Sequence, residues 1–109
     1  MADQKKSRRQ KLEEFVAQNP KDTFSRYGLA LECLKDGDKA GAETQFRSLI
    51  ENQADYVPGF QMYAQMLAQD ERRAEARSIL AAGIAAATRA GNAHARSEME
   101  GLLAELEAV

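Results

Sequence analysis

The sequence predicts an all-α fold, an array of about six antiparallel helices packed as consecutive hairpins. Three observations carry this. The composition is rich in Ala, Leu, Glu, Gln and Arg, which are strong helix formers. The only two prolines, Pro20 and Pro58, fall at helix boundaries. Apolar residues recur at helical spacing in six segments separated by short connections, so neighbours in sequence should pack antiparallel. With 109 residues, 44% of them apolar and 29% charged, the chain is long enough for one domain with its own core.

The first helix is expected from about Lys5 to Gln18, with Leu12, Phe15 and Val16 on one side; residues 1–4 before it are expected to be disordered. Asn19-Pro20 ends it, because the residue before a proline avoids the α region. The second runs from about Thr23 to Lys35. Asp22 or Thr23 can cap its start, and Gly37 can supply the left-handed residue after its end. The third runs from about Lys39 to Asn52, behind Asp38 as N-cap, with Ala42, Phe46, Leu49 and Ile50 at helical spacing.

The fourth helix runs from about Val57 to Gln69, with Pro58 in the first turn, where a missing N–H costs nothing. The fifth, from about Arg73 to Arg89, stops at Gly91. The sixth, from about Ala93 to Ala108, carries Met99, Leu102, Leu103 and Leu106 as an i, i+3, i+4, i+7 stripe.

Shifting the sequence on itself by 34 residues superposes these helices in pairs. Ala30 falls on Ala64, Asp36 on Asp70, Ala40 on Ala74, Ala42 on Ala76 and Ile50 on Ile84. Large positions also coincide: Leu29 with Tyr63, Cys33 with Leu67, Phe46 with Leu80. Small residues at Ala30 and Ala42, and again at Ala64 and Ala76, let the two helices of a hairpin approach closely.

On these residues the chain resembles the tetratricopeptide repeat family, a small bacterial type whose unit is a 34-residue helix–turn–helix. The family pattern maps onto Arg26, Leu29-Ala30, Cys33, Ala42, Phe46 and Ala54 in one repeat. In the next it maps onto Phe60, Tyr63-Ala64, Leu67, Ala76, Leu80 and Thr88. Leu12 and Pro20 fit the end of a preceding unit. The repeats are degenerate. Arg26 replaces a bulky residue, neither unit closes in proline, and Glu71 stands where the first unit has Gly37. The resemblance spans roughly residues 8–108. It implies a single domain over 1–109, a right-handed array: a leading helix at 5–19, repeats at 23–56 and 57–90, and a capping helix at 92–108.

It also implies a function, a non-enzymatic protein–protein interaction module that offers a short concave groove to a partner peptide or protein. The groove residues would be Phe24, Tyr27, Leu31 and Leu34 from the second helix and Gln61, Gln65 and Gln69 from the fourth. The first set makes that helix apolar on a second side, which asks for a cover or a ligand; the rival reading covers it with the first helix or the N-terminus. The glutamines form one stripe at i, i+4, i+8, able to donate to and accept from a peptide backbone. A clamp for a C-terminal carboxylate is not expected, since Tyr27, Gly28, Leu31, Gln61, Met62 and Gln65 fill the positions that would need cations. The alternative is structural self-association as a homodimer, through the Phe24–Leu34 face or the Leu102–Leu106 end.

Other classes find little support. The one cysteine, Cys33, falls at a helix seam, where a thiol acts as a small hydrophobe; the one histidine, His94, opens the last helix. No phosphate loop, metal motif or cysteine pair occurs, so no catalytic residue, metal or cofactor is expected. Net charge is −2, which argues against nucleic acid despite Lys5, Lys6, Arg8, Arg9 and Lys11 near the start. Residues 98–107 hold Glu98, Glu100, Glu105 and Glu107 without a base. An unpaired cysteine suits a reducing compartment, no apolar run could span a bilayer, and no secretory signal is visible, so the expected location is the cytoplasm.

Overall fold

The computed structural model describes residues 5–108. The expectation that residues 1–4 are disordered lies outside them. The described residues form six helices: α1 (Arg8–Gln18), α2 (Thr23–Lys35), α3 (Lys39–Asn52), α4 (Val57–Gln69), α5 (Arg73–Ala90) and α6 (Ala93–Glu107). No strand occurs among them. The all-α expectation therefore holds, and the bounds of α2, α3 and α4 coincide with those read from the sequence.

Two helices are shorter than expected and one is longer. α1 begins at Arg8, not Lys5, because Ser7 and Gln10 form a capping box. The Gln10 N–H donates to Ser7 Oγ at 3.1 Å, and the Ser7 N–H donates to Gln10 Oε1 at 2.8 Å. α6 stops one residue early at Glu107, while α5 runs one further, to Ala90.

The chain divides into two compact units, residues 1–52 and 53–109. In the first, α2 packs against both α1 and α3. Its core is Val16, Leu29, Ala30, Cys33, Ala42, Phe46 and Leu49, all buried. Each large side chain there contributes about 1.5–3 kcal/mol by leaving water. α1 joins through Val16 and a half-buried Leu12, which lies beside Gly28 of α2. Phe15 does not join its neighbours inside; it is 46% exposed. Ion pairs complete the attachment. Arg9 Nη2 lies 2.7 Å from Asp38 Oδ2, and Arg8 Nε lies 3.3 Å from Glu32 Oε2.

Asp38 has a second task, since its Oδ1 accepts the Gly41 N–H at 2.8 Å and caps α3. Asp22 caps α2 in the same way, accepting from the Ser25 N–H at 2.9 Å. Arg26, the departure from the bulky residue of the repeat pattern, is a polar tie. One guanidinium nitrogen donates to Gln45 Oε1 of α3 at 2.8 Å and another to the Pro20 carbonyl at 2.9 Å.

In the second unit α5 packs against α4 and α6, and α4 also meets α6. Phe60, Tyr63, Ala64, Leu67, Ala76, Leu80 and Met99 lie in its core. The alanine pairs of both repeats, Ala30 with Ala42 and Ala64 with Ala76, are wholly buried, as a close hairpin requires. Gly83 carries the same logic further. A Cβ added there would stand 2.8 Å from Phe60 Cβ and 2.7 Å from Met99 Sδ, so its absence lets α5 approach α4 and α6.

The helix ends repeat as well. After α2, the Gly37 N–H donates to Leu34 O and the Asp38 N–H to Cys33 O. After α4, the Glu71 N–H donates to Ala68 O and the Arg72 N–H to Leu67 O. Both are Schellman turns, and Glu71 adopts the left-handed backbone of Gly37 with φ of 60° against 77°. Gly91 ends α5 by the same pattern.

Candidate functional site

The second unit carries a trough of about 520 Å³ along α4, α5 and α6. Leu102 from α6 gives it apolar surface at its base, with Leu80 from α5 and Met99 from α6 packed behind. Leu80 and Met99 belong to the buried core, while Leu102 is half-buried. Gln61 and Gln65 line it from α4, one helical turn apart. Glu98 and Glu105 line it from α6, two turns apart with Leu102 between them. A segment laid there meets an apolar base between an amide wall and a carboxylate wall.

The walls touch at one point. Gln61 Nε2 donates to Glu98 Oε1 at 2.9 Å. His94, exposed in the first turn of α6, places Nε2 3.4 Å from the same oxygen. Asn92 fixes the start of that helix, its Oδ1 accepting from the Ala95 N–H at 3.1 Å. Gln69, grouped with Gln61 and Gln65 in the sequence, is exposed at the far end of α4 and does not line the trough. Glu98, Leu102 and Glu105 were not among the groove residues expected from the sequence. Their only signal was the acidic run of residues 98–107 interleaved with the leucine stripe.

In the first unit, α2 presents Phe24 with 78% of its surface exposed. Tyr27, Leu31 and Leu34 on the same helix are half-buried. α1 thus leaves Phe24 open to solvent. A second depression, of about 360 Å³, lies between α1 and α3, beside Leu29 and Cys33. The charges at its rim are already engaged: Arg9 reaches Asp38, and its Nε lies 3.3 Å from Glu13 Oε2.

Cys33 is 2% exposed, and burial pushes its thiol above the ordinary range, so the thiolate is disfavoured. His94 stands in the other unit. Among the described residues no group of three or more metal-ligating side chains comes together. Among them, too, no helix is long and apolar enough to cross a membrane.

Two solved structures share this fold. A tetratricopeptide repeat domain protein from Salinibacter ruber, known from solution NMR, is 30% identical to the chain, with a TM-score of 0.78; the match covers 83% of this chain and 91% of that one. A protein from Bordetella parapertussis matches with the same TM-score at 21% identity, over 94% of this chain and 90% of that one. No family model and no curated protein sequence matches.

Proposed function

The chain belongs to the tetratricopeptide repeat family, and from that premise we propose that it is a non-enzymatic protein-interaction module whose second unit takes a partner segment in the trough beside α4 and α6. The observation that carries this reading is the half-buried Leu102, backed by the buried Leu80 and Met99, between two polar walls. An extended segment needs a dry surface for its side chains and hydrogen-bonding groups for its backbone. Gln61 and Gln65 offer both donors and acceptors. A preformed surface on packed helices spares the scaffold most of the ordering cost of binding. In the first unit the α2 face of Phe24, Tyr27, Leu31 and Leu34 is the proposed contact surface, and Gln69 extends the glutamine stripe of α4. The proposed location is the cytoplasm, on the ground of a single buried cysteine.

The test is a cross-linked capture from native cells with wild type and with Gln65→Ala/Leu102→Ala, both checked for folding by circular dichroism. A partner lost only from the variant supports the trough. Identical capture by two folded proteins overturns it.

Self-association is the second reading, favoured by the exposure of Phe24 and Phe15 in the first unit. Sedimentation of wild type and Phe24→Ser over a range of concentrations separates the two. A dimer that dissociates in the variant supports self-association through α2.

A further inference from the structure

We infer that the segment received by the trough of the second unit is cationic, with two Lys or Arg side chains set to meet Glu98 and Glu105 and an apolar residue between them on Leu102. This rests on the reading of the trough as a peptide site and names the chemistry of its occupant. Three features of α6 support it.

The first is placement. Glu98, Leu102 and Glu105 stand at i, i+4 and i+7, so all three share one helix face. The two carboxylates are separated by about 10 Å along the axis, at 1.5 Å per residue. That spacing calls for two cations bracketing one apolar side chain. The second is occupancy. Among the described residues, the Glu105 carboxylate has no ion-pair or hydrogen-bond partner, and Glu98 is met only by the neutral amide of Gln61 and by His94. Elsewhere in this unit Arg89 pairs with Asp55, Arg72 with Glu75 and Arg96 with Glu100, while the side chains of Glu71 and Glu107, like that of Glu105, have no such partner among the described residues.

The third feature is a local rule that α6 breaks. The C-terminal turn of a helix favours cations, because its unsatisfied carbonyls carry partial negative charge. α6 has no basic residue in its last turn and places Glu105 and Glu107 there. α3 shares this departure with Glu51, but in α6 it falls at the edge of the trough, where such departures from local preference are expected of functional sites. The whole unit leans the same way, with eight acidic side chains against five Arg over residues 53–109. Such a field attracts a basic segment before contact and repels an acidic one.

The experiment selects short random peptides by display on the immobilised full chain. The selected peptides are then titrated by fluorescence anisotropy into wild type, Glu98→Gln/Glu105→Gln, Gln65→Trp and Glu105→Lys. Gln65 is exposed, so tryptophan there fills the trough without disturbing the core. Glutamine at 98 keeps an oxygen for Gln61, so the double variant changes charge and leaves shape. The expected peptides carry Lys or Arg flanking Leu, Ile or Phe. Their affinity should fall about five- to tenfold in the double glutamine variant, in the range of two partly exposed ion pairs. It should also weaken with added salt. Glu105→Lys should bind least well while melting at a higher temperature than wild type, a combination that a purely structural role for Glu105 would not produce.

Neutral or acidic peptides that bind wild type and are blocked by Gln65→Trp would overturn the cationic occupant and leave the trough as a peptide site. Peptides indifferent to Gln65→Trp, or no selected peptide at all, would overturn the trough itself and the inference with it.

Discussion

Glu71 holds a backbone conformation that favours glycine, with φ of 60° at the position one repeat after Gly37. The repeat imposes the turn, because Arg72 must still donate to Leu67 O to close α4. The side chain bears the conformational cost. Glu71→Gly should therefore raise stability by about 0.5–1 kcal/mol, after the extra freedom glycine gives the unfolded chain is set against the strain removed. Thermal denaturation would read this as a rise of a few degrees. Gly83 shows the opposite case. Alanine favours a helix by about 1 kcal/mol over glycine, but its Cβ would collide with Phe60 Cβ and the buried Met99. Overpacking of that kind costs about 1–3 kcal/mol, so Gly83→Ala should destabilise, visible as a lower urea midpoint. Cys33, buried and with its thiol pushed up, should react with iodoacetamide at pH 8 far more slowly in the native chain than in the unfolded one.

The helices owe their limits to side chains just outside them. Ser7, Asp22, Asp38 and Asn92 each accept a backbone N–H three residues on. Asn92→Ala should cost about 1 kcal/mol, measured as a loss of melting temperature, and should fray the start of α6, where His94 meets Glu98. The two aspartate caps also make stability depend on pH. Backbone N–H groups hold both carboxyls below the ordinary range, and Arg9 adds to this at Asp38. A group with a lowered folded pKa contributes fully above its unfolded value and loses that contribution as pH falls through the folded one. The melting temperature should thus be level from neutrality down to about pH 5 and decline below about pH 4. Asp38→Asn should lower the plateau and make the decline shallower. Arg9 stays charged throughout, so the loss comes from the acids.

At the scale of the molecule, each three-helix unit has its own buried core. In the second, α5 is sandwiched by α4 and α6, and Arg73 Nη1 donates to the Leu106 carbonyl near the end of α6 at 3.3 Å. Residues 53–109 expressed alone should keep a helical circular-dichroism spectrum and a cooperative melt, as expected of repeat arrays whose units are stable in themselves. A featureless melt would show that the second unit needs the first. The proposed function belongs to this scale too, because no single helix makes the trough: its base comes from α5 and α6 and its walls from α4 and α6.

The sequence by itself determined the all-α class, the number of helices and most of their bounds. These follow from local physics, namely propensity, caps, prolines and the period of apolar residues, which neighbours along the chain decide. The repeat period placed Ala30, Ala42, Ala64 and Ala76 in close-packed seams, because small residues at that spacing have one structural use. Tertiary structure alone decided that Phe15 faces water, that Gly83 is a point of close approach, and that Gln69 lies away from the trough that Gln61 and Gln65 line. It also decided that Glu98, Leu102 and Glu105 stand opposite the glutamines. An acidic residue on a helix reads as solvated until its neighbours are known. The physical reason is that a site joins residues distant in sequence, while the pattern along a chain reports only what one helix turns toward its core.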